Sequence, residues 1–478
     1  MNKITKIILG VVAVLIVVTG TLYYTNYTKS KNTTVSSSTN SVKSQVESIN
    51  WANYTSNDIT LDDKSVEITK EGTYTLTGTI SNGQIKVNID GNVKLILNGV
   101  TITNGSGPAI YIENGNVEVE SVEGTTNILE DGSSYSGYED DVNGVIFSKD
   151  DLILSGKGIL KVTSNYEDAI VSKDDLKVTS GTYEIIAKDD ALRGTESVEI
   201  TDGEFNITSG GDAIKSTKEG DSEKGFVLIS GGEFNITSGD DGISAQTNVV
   251  IKDGTFNIKT TGVNSSNAAK GIVAESLITI EGGEINIDSG DDGIHSNGNI
   301  SITDGKITIN SGDDGIHADG LVEIDGGDIN ITAHEGIEGT YVKINDGTIY
   351  ISASDDAINA GNKSSTYQVT IEINDGNITI VMGQGDTDAI DSNGNIYVNG
   401  GTINITGNSP FDYDGEAKYN GGTIIVNGVE TNTITNQMMG GGMMGGMMQE
   451  NGNPNAGNGN SYPQNAQNQG QRVRGGMR

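Results

Sequence analysis

The sequence predicts an all-β protein, a right-handed parallel β-helix of about 12 coils, from three observations. A motif of an acidic residue, then Gly or Ala, then an aliphatic residue recurs about every 21 or 22 residues along most of the chain. Within one unit the apolar residues alternate in three short runs separated by glycine turns, as half-buried strands do. No window shows a sustained helical period. The period does not fix the hand, and right-handed is the usual hand of this fold.

The stretch NISITDGKITINSGDDGIH, residues 299–317, illustrates one coil. Ile300 and Ile302 alternate with polar residues in a first short strand, and Ile307 and Ile309 do so in a second. A glycine turn separates the two, and a further glycine corner follows them. Because successive coils stack at about 4.8 Å, equivalent residues of neighbouring units are expected to lie directly above one another.

The N-terminus predicts export. Lys3 and Lys6 precede an apolar run from Ile7 to Val18, the order found in secretory signals. No convincing A-x-A cleavage pattern follows, and with its flank the run approaches the roughly 18 to 20 residues that span a bilayer. We therefore expect residues 1–24 to be an uncleaved signal anchor, with a cleaved signal peptide as the alternative. The protein would then be extracellular, held at the cell surface by this segment or secreted.

Composition divides the rest of the chain into three parts. Residues 25–48 are rich in Ser, Thr, Asn and Lys and predict a flexible linker. Residues 49–435 carry the repeats and form the predicted β-helix domain. Residues 436–478 are dominated by Met, Gly, Asn and Gln and predict a disordered tail. The methionine pairs of this tail could bind Cu(I), but a tail without metal is the favoured interpretation.

Charge limits the partners of the protein. The formal net charge is −36, and the chain has no cysteine. So acidic a surface argues against nucleic acid or anionic lipid as the main partner, and it favours metal cations or neutral surfaces. The lack of cysteine excludes disulfides and thiolate chemistry. We expect a monomer that contacts the membrane through its N-terminal segment alone.

Paired aspartates recur at one corner of the predicted coil and form a column of carboxylates. Such carboxylates repel one another unless they accept backbone hydrogen bonds or hold a hard cation such as Ca²⁺. The two interpretations, turn caps and calcium ligands, stay open. We expect the first aspartate of each pair to cap its turn and the second to face the cation. The predicted calcium ligands are Asp189, Asp190, Asp212, Asp240, Asp241, Asp291, Asp292, Asp313, Asp314, Asp355 and Asp356.

The residue after each aliphatic forms a second column, which includes Arg193, Lys215, His295 and His317. Arg193 and Lys215 would neutralise the acidic column. Alternatively, one of them could be the general base of a calcium-dependent polysaccharide lyase. The two histidines are expected to stack on the surface and face solvent rather than to bind a metal.

Two further sets of side chains could contact sugars. An outward asparagine column comprises Asn206, Asn235, Asn286, Asn330 and Asn404. It could bind sugar hydroxyls or simply stabilise the stacked strands. Tyr341, Tyr350, Tyr367 and Tyr397 are the aromatic candidates, although any of them could instead fill strand faces.

The units typified by SGDDGIHSNGNISITDGKITI, together with the N-terminal signal and the Met/Gly-rich tail, resemble the clostridial and bacillar carbohydrate-binding domain family. The resemblance covers roughly residues 55 to 435. It implies a polysaccharide-lyase-like right-handed β-helix that binds cellulose-like and acidic, pectin-like glycans without established cleavage. It also implies calcium on the helix, which we assign to the paired aspartates alone. The alternatives are a calcium-dependent pectate lyase and a structural stalk or adhesin.

Overall fold

The computed structural model describes residues 49–264, 267–383 and 387–436. The predicted anchor (1–24), the linker (25–48) and all but the first residue of the predicted tail lie outside these ranges. Within the described ranges, no helix is both long and apolar enough to cross a membrane. These ranges consist mainly of strands, and the short 3-10 helix Trp51–Asn53 is the one helix among them. The all-β prediction is confirmed.

Most strands pair in parallel with a strand one sequence repeat away. Ile294–Ser296 pairs with Ile316–Ile324, for example, with His295 opposite His317. One repeat therefore corresponds to one coil, an arrangement consistent with a parallel β-helix. The hand of the helix and the number of its coils stay predictions.

The strands form three columns, preceded by four strands at the start of the domain. The opening strands are Ser56–Asp62, Val66–Ile68, Gly72–Ile80 and Ile85–Asn104. Column 1 consists of Ile110–Ser121, Gly144–Ser148, Asp168–Ser172, Leu192–Gly194, Ile214–Ser216, Ile243–Ala245, Ile272–Ala274, Ile294–Ser296, Ile316–Ile324, Ile337–Ile344, Ile358–Ala360, Ile390–Ser392 and Asp412–Tyr413.

The other two columns complete each coil. Column 2 consists of Leu152–Gly156, Asp175–Val178, Ser197–Ile200, Phe226–Ile229, Asn248–Ile251, Leu277–Ile280, Asn299–Ile302, Thr370–Ile373, Asn395–Val398 and Ala417–Tyr419. Strands Ile110–Ser121, Ile316–Ile324 and Ile337–Ile344 run through both column 1 and column 2.

Column 3 consists of Thr126–Asp131, Ile159–Thr163, Thr182–Ala187, Glu204–Ser209, Glu233–Ser238, Thr255–Thr260, Glu284–Ser289, Lys306–Ser311, Asp328–Ala333, Thr348–Ala353, Asn377–Met382, Thr402–Thr406 and Thr423–Val426. Two antiparallel pairs accompany the columns. Val263–Asn264 pairs with Asn267–Ala268, and Val429–Thr431 pairs with the last strand of column 3.

Stacked aliphatic and aromatic side chains form the core. The rings of Tyr183, Phe205, Phe234 and Phe256 are buried one above another, with centroids 5.0, 4.7 and 4.6 Å apart along the series. Burying each such side chain contributes about 1.5 to 3 kcal/mol. The predicted apolar core is confirmed, and it holds the polar corners in a fixed register from coil to coil.

Glycine serves two purposes in the coil. Gly305 has φ 123° in the turn before column 3, and Asp304 accepts a hydrogen bond from its N–H at 2.8 Å. Gly293, at the corner before column 1, is needed for close approach, since a Cβ there would lie 2.6 Å from the carbonyl oxygen of Gly315. Gly305 therefore permits the turn, and Gly293 permits the close approach of adjacent coils at the corner.

Candidate functional site

In six coils, the aspartate that precedes the Gly or Ala corner residue accepts a hydrogen bond from the backbone of the next coil, as the second aspartate of a pair or, at Asp168 and Asp212, without a preceding aspartate. Asp190 and Asp212 are each 3% exposed, whereas Asp241 and Asp356 are half-buried. Oδ1 of Asp190 accepts a hydrogen bond from the backbone N–H of Asp212 at 2.9 Å, and Oδ1 of Asp212 accepts one from Asp241 at 2.8 Å. The same bond joins Asp168 to Asp190, Asp241 to Lys270, Asp292 to Asp314 and Asp356 to Asp388. We call this series of aspartates the acidic ladder.

This geometry reverses the expected division of roles within a pair. The second aspartate supplies the backbone acceptor, because the N–H of the next coil lacks a strand partner at the corner. The first aspartate is exposed at Asp189 and Asp313 and half-buried at Asp240, Asp291 and Asp355. The expectation that the first residue caps the turn is therefore wrong. The second residue accepts the backbone hydrogen bond through Oδ1, and its Oδ2 remains for other contacts.

That second oxygen faces the side chain that follows each aliphatic residue. Strand register confirms the predicted column, which we call the facing column. Its members in order are Val171, Arg193, Lys215, Ser244, Val273, His295, His317, Glu338, Asn359, Asp391 and Asp412. The identity of the facing residue thus sets the local charge, while the backbone contact stays the same.

Basic facing residues neutralise the first part of the ladder. Nη1 of Arg193 lies 2.8 Å from Oδ2 of Asp168. Nζ of Lys215 lies 3.2 Å from Asp190 Oδ2 and 2.9 Å from Asp212 Oδ2. Burial lowers the pKa of Lys215, but the two carboxylates outweigh this and raise it above its usual value. A lysine held protonated cannot accept a proton, so the contacts favour the ion-pair interpretation over a lyase base.

The next coils present no facing base. Ser244 follows Asp241 in the facing position, and one carboxylate oxygen from each of Asp212, Asp240 and Asp241 lies within 4.8 Å of the others. Burial, and then the charge of Asp212, raises the pKa of Asp241 well above its usual value. A cluster of oxygen donors held close together has the chemistry of a Ca²⁺ site, because this ion prefers carboxylate and carbonyl ligands.

Two histidines occupy the facing column in the following coils. Their ring centroids lie 4.7 Å apart with the ring planes tilted by 51°, so the predicted adjacency is confirmed, although the rings are not parallel. Nδ1 of His295 lies 2.7 Å from Asp292 Oδ2, and Nδ1 of His317 lies 2.7 Å from Asp314 Oδ2. Only 15% and 13% of the two side chains are exposed. The expectation that they face solvent is therefore wrong, because each imidazole folds onto the aspartate of its own coil.

In the last coils, the residues of the facing column are themselves acidic. Asp391 pairs in register with Asp412. Burial raises the pKa of Asp391 to about 6, and the charges of Asp412, Asp388 and Asp414 add to the effect. Burial likewise raises the pKa of Asp356 to about 7, with Asp391 as a contributing charge. Negative charge therefore accumulates at this end.

The predicted calcium ligands fall into separate groups. Besides the three oxygens around Asp241, ligand atoms lie within 4.8 Å of one another in the sets Asp292, His295 and His317; Asp314, His317 and Glu338; and His334, Glu335 and Asp355. Lys215 is ion-paired with Asp190, and Lys270 is ion-paired with Asp291. Asp189 and Asp313 are exposed beside their buried neighbours. The acidic ladder therefore consists of segments that differ in the groups beside the aspartates: basic side chains, oxygen donors alone, histidines, or further acids.

An open groove of about 870 Å³ lies over column 3. Four asparagines in strand register, Asn206, Asn235, Asn257 and Asn286, line it. The side-chain amides of Asn235, Asn257 and Asn286 each donate to Oδ1 of the preceding asparagine, at 3.4, 3.1 and 3.3 Å along the series. We call these four residues the groove asparagines. Asn257 was not among the predicted members, although its FNI motif repeats the FNI that contains Asn206 and Asn235.

The asparagine column continues with other residues beyond the groove. Asn330 lies in the same register, next to Tyr350, and Asn404 lies further along. Tyr350 is 39% exposed, and Ile186 at the other end of the groove is 57% exposed. Of the other tyrosine candidates, Tyr341 and Tyr397 lie in column 2 and Tyr367 contacts Tyr341 with centroids 6.3 Å apart. Tyr350 is therefore the tyrosine that shares a face with the asparagines.

Comparison with known proteins gives the family. A model of carbohydrate-binding domain-containing proteins matches residues 62–315 and 313–445. The chain belongs to this family. Membership supports polysaccharide binding in general.

Two relatives are similar over part of their length. A carbohydrate-binding domain-containing protein of Acetivibrio thermocellus is 37% identical over 136 residues, which are 27% of this chain and 47% of the relative. The chain thus spans about half the length of that curated relative. A solved structure described as a polysaccharide lyase-like protein from C. thermocellum, a gadolinium derivative, is 34% identical, with a TM-score of 0.42. That match covers 45% of this chain and 87% of the solved one.

Proposed function

We propose that the protein binds polysaccharide in the groove over column 3 without cleaving it, and that calcium bound on the acidic ladder supports the fold. The observation that carries the proposal is the row of groove asparagines at the floor of an open groove. Family membership supplies the class of ligand. Cellulose-like and acidic, pectin-like chains are the proposed glycans, of plant or cell-surface origin.

The groove asparagines can stabilise the stack and bind sugar at the same time. A side-chain amide has two N–H donors and an oxygen with two lone pairs. Among the groove asparagines, Asn235 uses one N–H donor toward Asn206 and one oxygen lone pair toward Asn257. One donor and one lone pair remain, and sugar hydroxyls need this combination because each hydroxyl both donates and accepts. The two interpretations of the column are therefore compatible.

The register favours a glycan that runs along the stacking direction. Coils repeat at about 4.8 Å, which is on the order of the length of one pyranose ring in a chain. Each successive sugar could then meet one asparagine. Tyr350, exposed in the same column, offers an aromatic face further along, and such faces bind the apolar side of a sugar ring.

Charged groups at the groove edges bear on acidic glycans. Lys161 pairs with Glu184 at 2.5 Å, and Lys259 pairs with Asp288 at 2.6 Å. Both lysines are already partly neutralised, and the protein carries a large net negative charge. We therefore propose that an acidic glycan needs Ca²⁺ as a bridge, whereas a neutral, cellulose-like glycan does not.

The proposed calcium ligands are predicted aspartates, foremost Asp212, Asp240 and Asp241, a close set that contains no histidine, whereas Asp292 and Asp314 lie against histidines. Their donor set consists of oxygens, which fits this ion. Bound calcium would offset the mutual repulsion of buried carboxylates and hold the corners of adjacent coils together. We further propose that the protein is exported and kept at the cell surface by its N-terminal segment, for which the lysine-flanked apolar run is the support.

A binding assay on two insoluble glycans tests the proposal. The full chain is incubated with cellulose and with calcium-crosslinked polygalacturonate, each with and without a chelator, and the bound fraction is measured after sedimentation. We expect retention on cellulose in both conditions and retention on polygalacturonate in the presence of calcium. Absence of binding to both glycans would contradict the proposal and favour a structural stalk or adhesin.

The lyase alternative has its own readout in the same samples. Eliminative cleavage of a uronate produces unsaturated sugars that absorb ultraviolet light. We expect no rise in absorbance with calcium present. A rise that disappears in Lys215→Met or Arg193→Lys would instead establish a lyase.

A further inference from the structure

The histidine segment of the ladder differs chemically from all other segments. Along the facing column, His295 and His317 alone bring imidazole nitrogens next to buried carboxylates, while the other members are basic, acidic, amide, hydroxyl or apolar. Nitrogen donors favour transition-metal ions over Ca²⁺. The chain has three histidines in all, and two of them meet here.

The donors are already close enough to surround an ion. One ligand atom from each of Asp292, His295 and His317 lies within 4.8 Å of the other two. Ligands at about 2.0 to 2.2 Å from a tetrahedral ion lie about 3.3 to 3.6 Å apart, which is below this 4.8 Å limit. Side-chain rotations that close the remaining distance would bring two histidines and one carboxylate onto one metal.

Two more carboxylates surround His317. Its Nδ1 lies 2.7 Å from Asp314 Oδ2 and 3.2 Å from Glu338 Oε2. Carboxylates in this position orient a metal-ligating histidine and fix its tautomer. Either one could also serve as a ligand itself, since Asp314, His317 and Glu338 form a second close set.

One ring nitrogen lacks a partner. Nε2 of His317 is buried and accepts or donates no hydrogen bond, and Asp319 Oδ1 lies 3.6 Å away. Buried polar atoms are nearly always satisfied. Nε2 of His317 is therefore available as a metal ligand, while Nδ1 of the same ring is held by Asp314 and Glu338.

The surrounding lysines limit the negative charge without occupying the centre. Nζ of Lys270 lies 3.7 Å from Asp292 Oδ2 at one end, and Nζ of Lys363 lies 2.9 Å from Glu338 Oε1 at the other. The two lysines therefore offset part of the negative charge of the carboxylates around the histidines.

We propose that His295, His317 and Asp292, supported by Asp314 and Glu338, form a site for a borderline divalent transition-metal ion of the Zn²⁺ class. This site is separate from the oxygen-only calcium group around Asp241. It would clamp two adjacent coils through side chains of both.

Titration calorimetry with the full chain, stripped of metal by a chelator and dialysed, tests the site with Zn²⁺ and Ca²⁺ as probes. We expect His295→Gln and His317→Gln to weaken Zn²⁺ binding by at least about tenfold and to leave Ca²⁺ binding unchanged. His334→Gln is the comparison variant, because His334 is 49% exposed and belongs to a separate close set with Glu335 and Asp355, so its loss should leave the Zn²⁺ site at His317 intact. Equal Zn²⁺ binding by wild type and His317→Gln, or equal losses in all three variants, would overturn the proposal.

A measurement on wild type keeps the test valid if a variant fails to fold. With three histidines in the chain, the imidazole proton signals in an NMR spectrum are few enough to follow individually. Zn²⁺ should shift the signals of two histidines and leave the third in place. No shift, or a shift of the exposed histidine alone, would show that the ion does not bind here.

Discussion

The start and the end of the acidic ladder have the same backbone role and opposite electrostatics. Asp190 and Asp356 each accept a hydrogen bond from the backbone N–H of the next coil. Asp190 faces Lys215, whereas the facing column beyond Asp356 continues with Asp391 and Asp412. The backbone hydrogen bond is therefore the same beside basic and acidic facing residues, and the facing position is available to tune stability and ion binding coil by coil.

Lys215→Met should cause the largest change. It leaves Asp190 and Asp212, both 3% exposed, without their shared cation. Breaking a buried pair in this way costs about 3 to 5 kcal/mol in the free energy of unfolding, which urea denaturation measures. Lys259→Met is the control, since Lys259 is 59% exposed and its surface pair contributes about 0 to 1 kcal/mol. Equal losses of unfolding free energy in the two variants would show that the ion pairs of Lys215 contribute no more than a surface pair.

Calcium should have the next largest effect. At a free concentration about a hundredfold above the dissociation constant, a bound ion stabilises the folded state by about 2.7 kcal/mol. Asp241→Asn should reduce that increment, because it removes a central oxygen charge from the group. Asp375→Asn, which alters an exposed turn aspartate bonded to Gly376 N–H, should leave it unchanged. A calcium increment that is the same in both variants would place the ion elsewhere.

Asp391→Lys converts the end of the ladder into the pattern found at its start. The substitution puts a lysine in the position that Lys215 occupies several coils earlier. We expect a gain of about 1 kcal/mol in the absence of calcium, because the new cation offsets the neighbouring carboxylates. A loss of stability of that size would mean that packing, rather than charge, decides the facing position.

The same region should make stability depend on pH. Burial raises the pKa of Asp356 to about 7 and that of Asp391 to about 6, above the ordinary value of 3.8. Between the ordinary and the raised values the folded state holds more protons than the unfolded state, so stability increases as pH falls and is lost as pH rises. Without calcium, the urea midpoint should therefore rise from pH 8 to pH 6. The rise should be smaller in Asp391→Lys, and an equal rise in that variant would contradict the assignment to these groups.

The sequence predicts the parts of this molecule that depend on period alone. The spacing of Ile294 and Ile316 places both in the core and stacks His295 on His317, as the strand register confirms. Asn257 could have been placed with the other asparagines by its repeated FNI motif. Period and motif suffice for these residues because each depends on its own position within the coil.

Side-chain direction at the corner could not be predicted in this way. Which aspartate of a pair turns inward depends on the N–H of the following coil, a contact across about 22 residues. The burial of His295 and His317 follows from carboxylates that lie next to them in space. Calcium binding and the predicted anchor, linker and tail stay predictions.

Binding of a soluble oligosaccharide by a matched pair of variants tests the central claim most directly. The first variant, Asn235→Ala with Asn257→Ala, removes two groove asparagines. The second, Asn374→Ala with Asn399→Ala, removes two residues of another asparagine ladder outside the groove, whose amides bond at 2.8 Å. Loss of two hydrogen bonds in the groove should weaken binding about tenfold, as calorimetry would show. The second variant should bind like wild type. Unchanged affinity in the first, or equal loss in both, would contradict polysaccharide recognition by this groove.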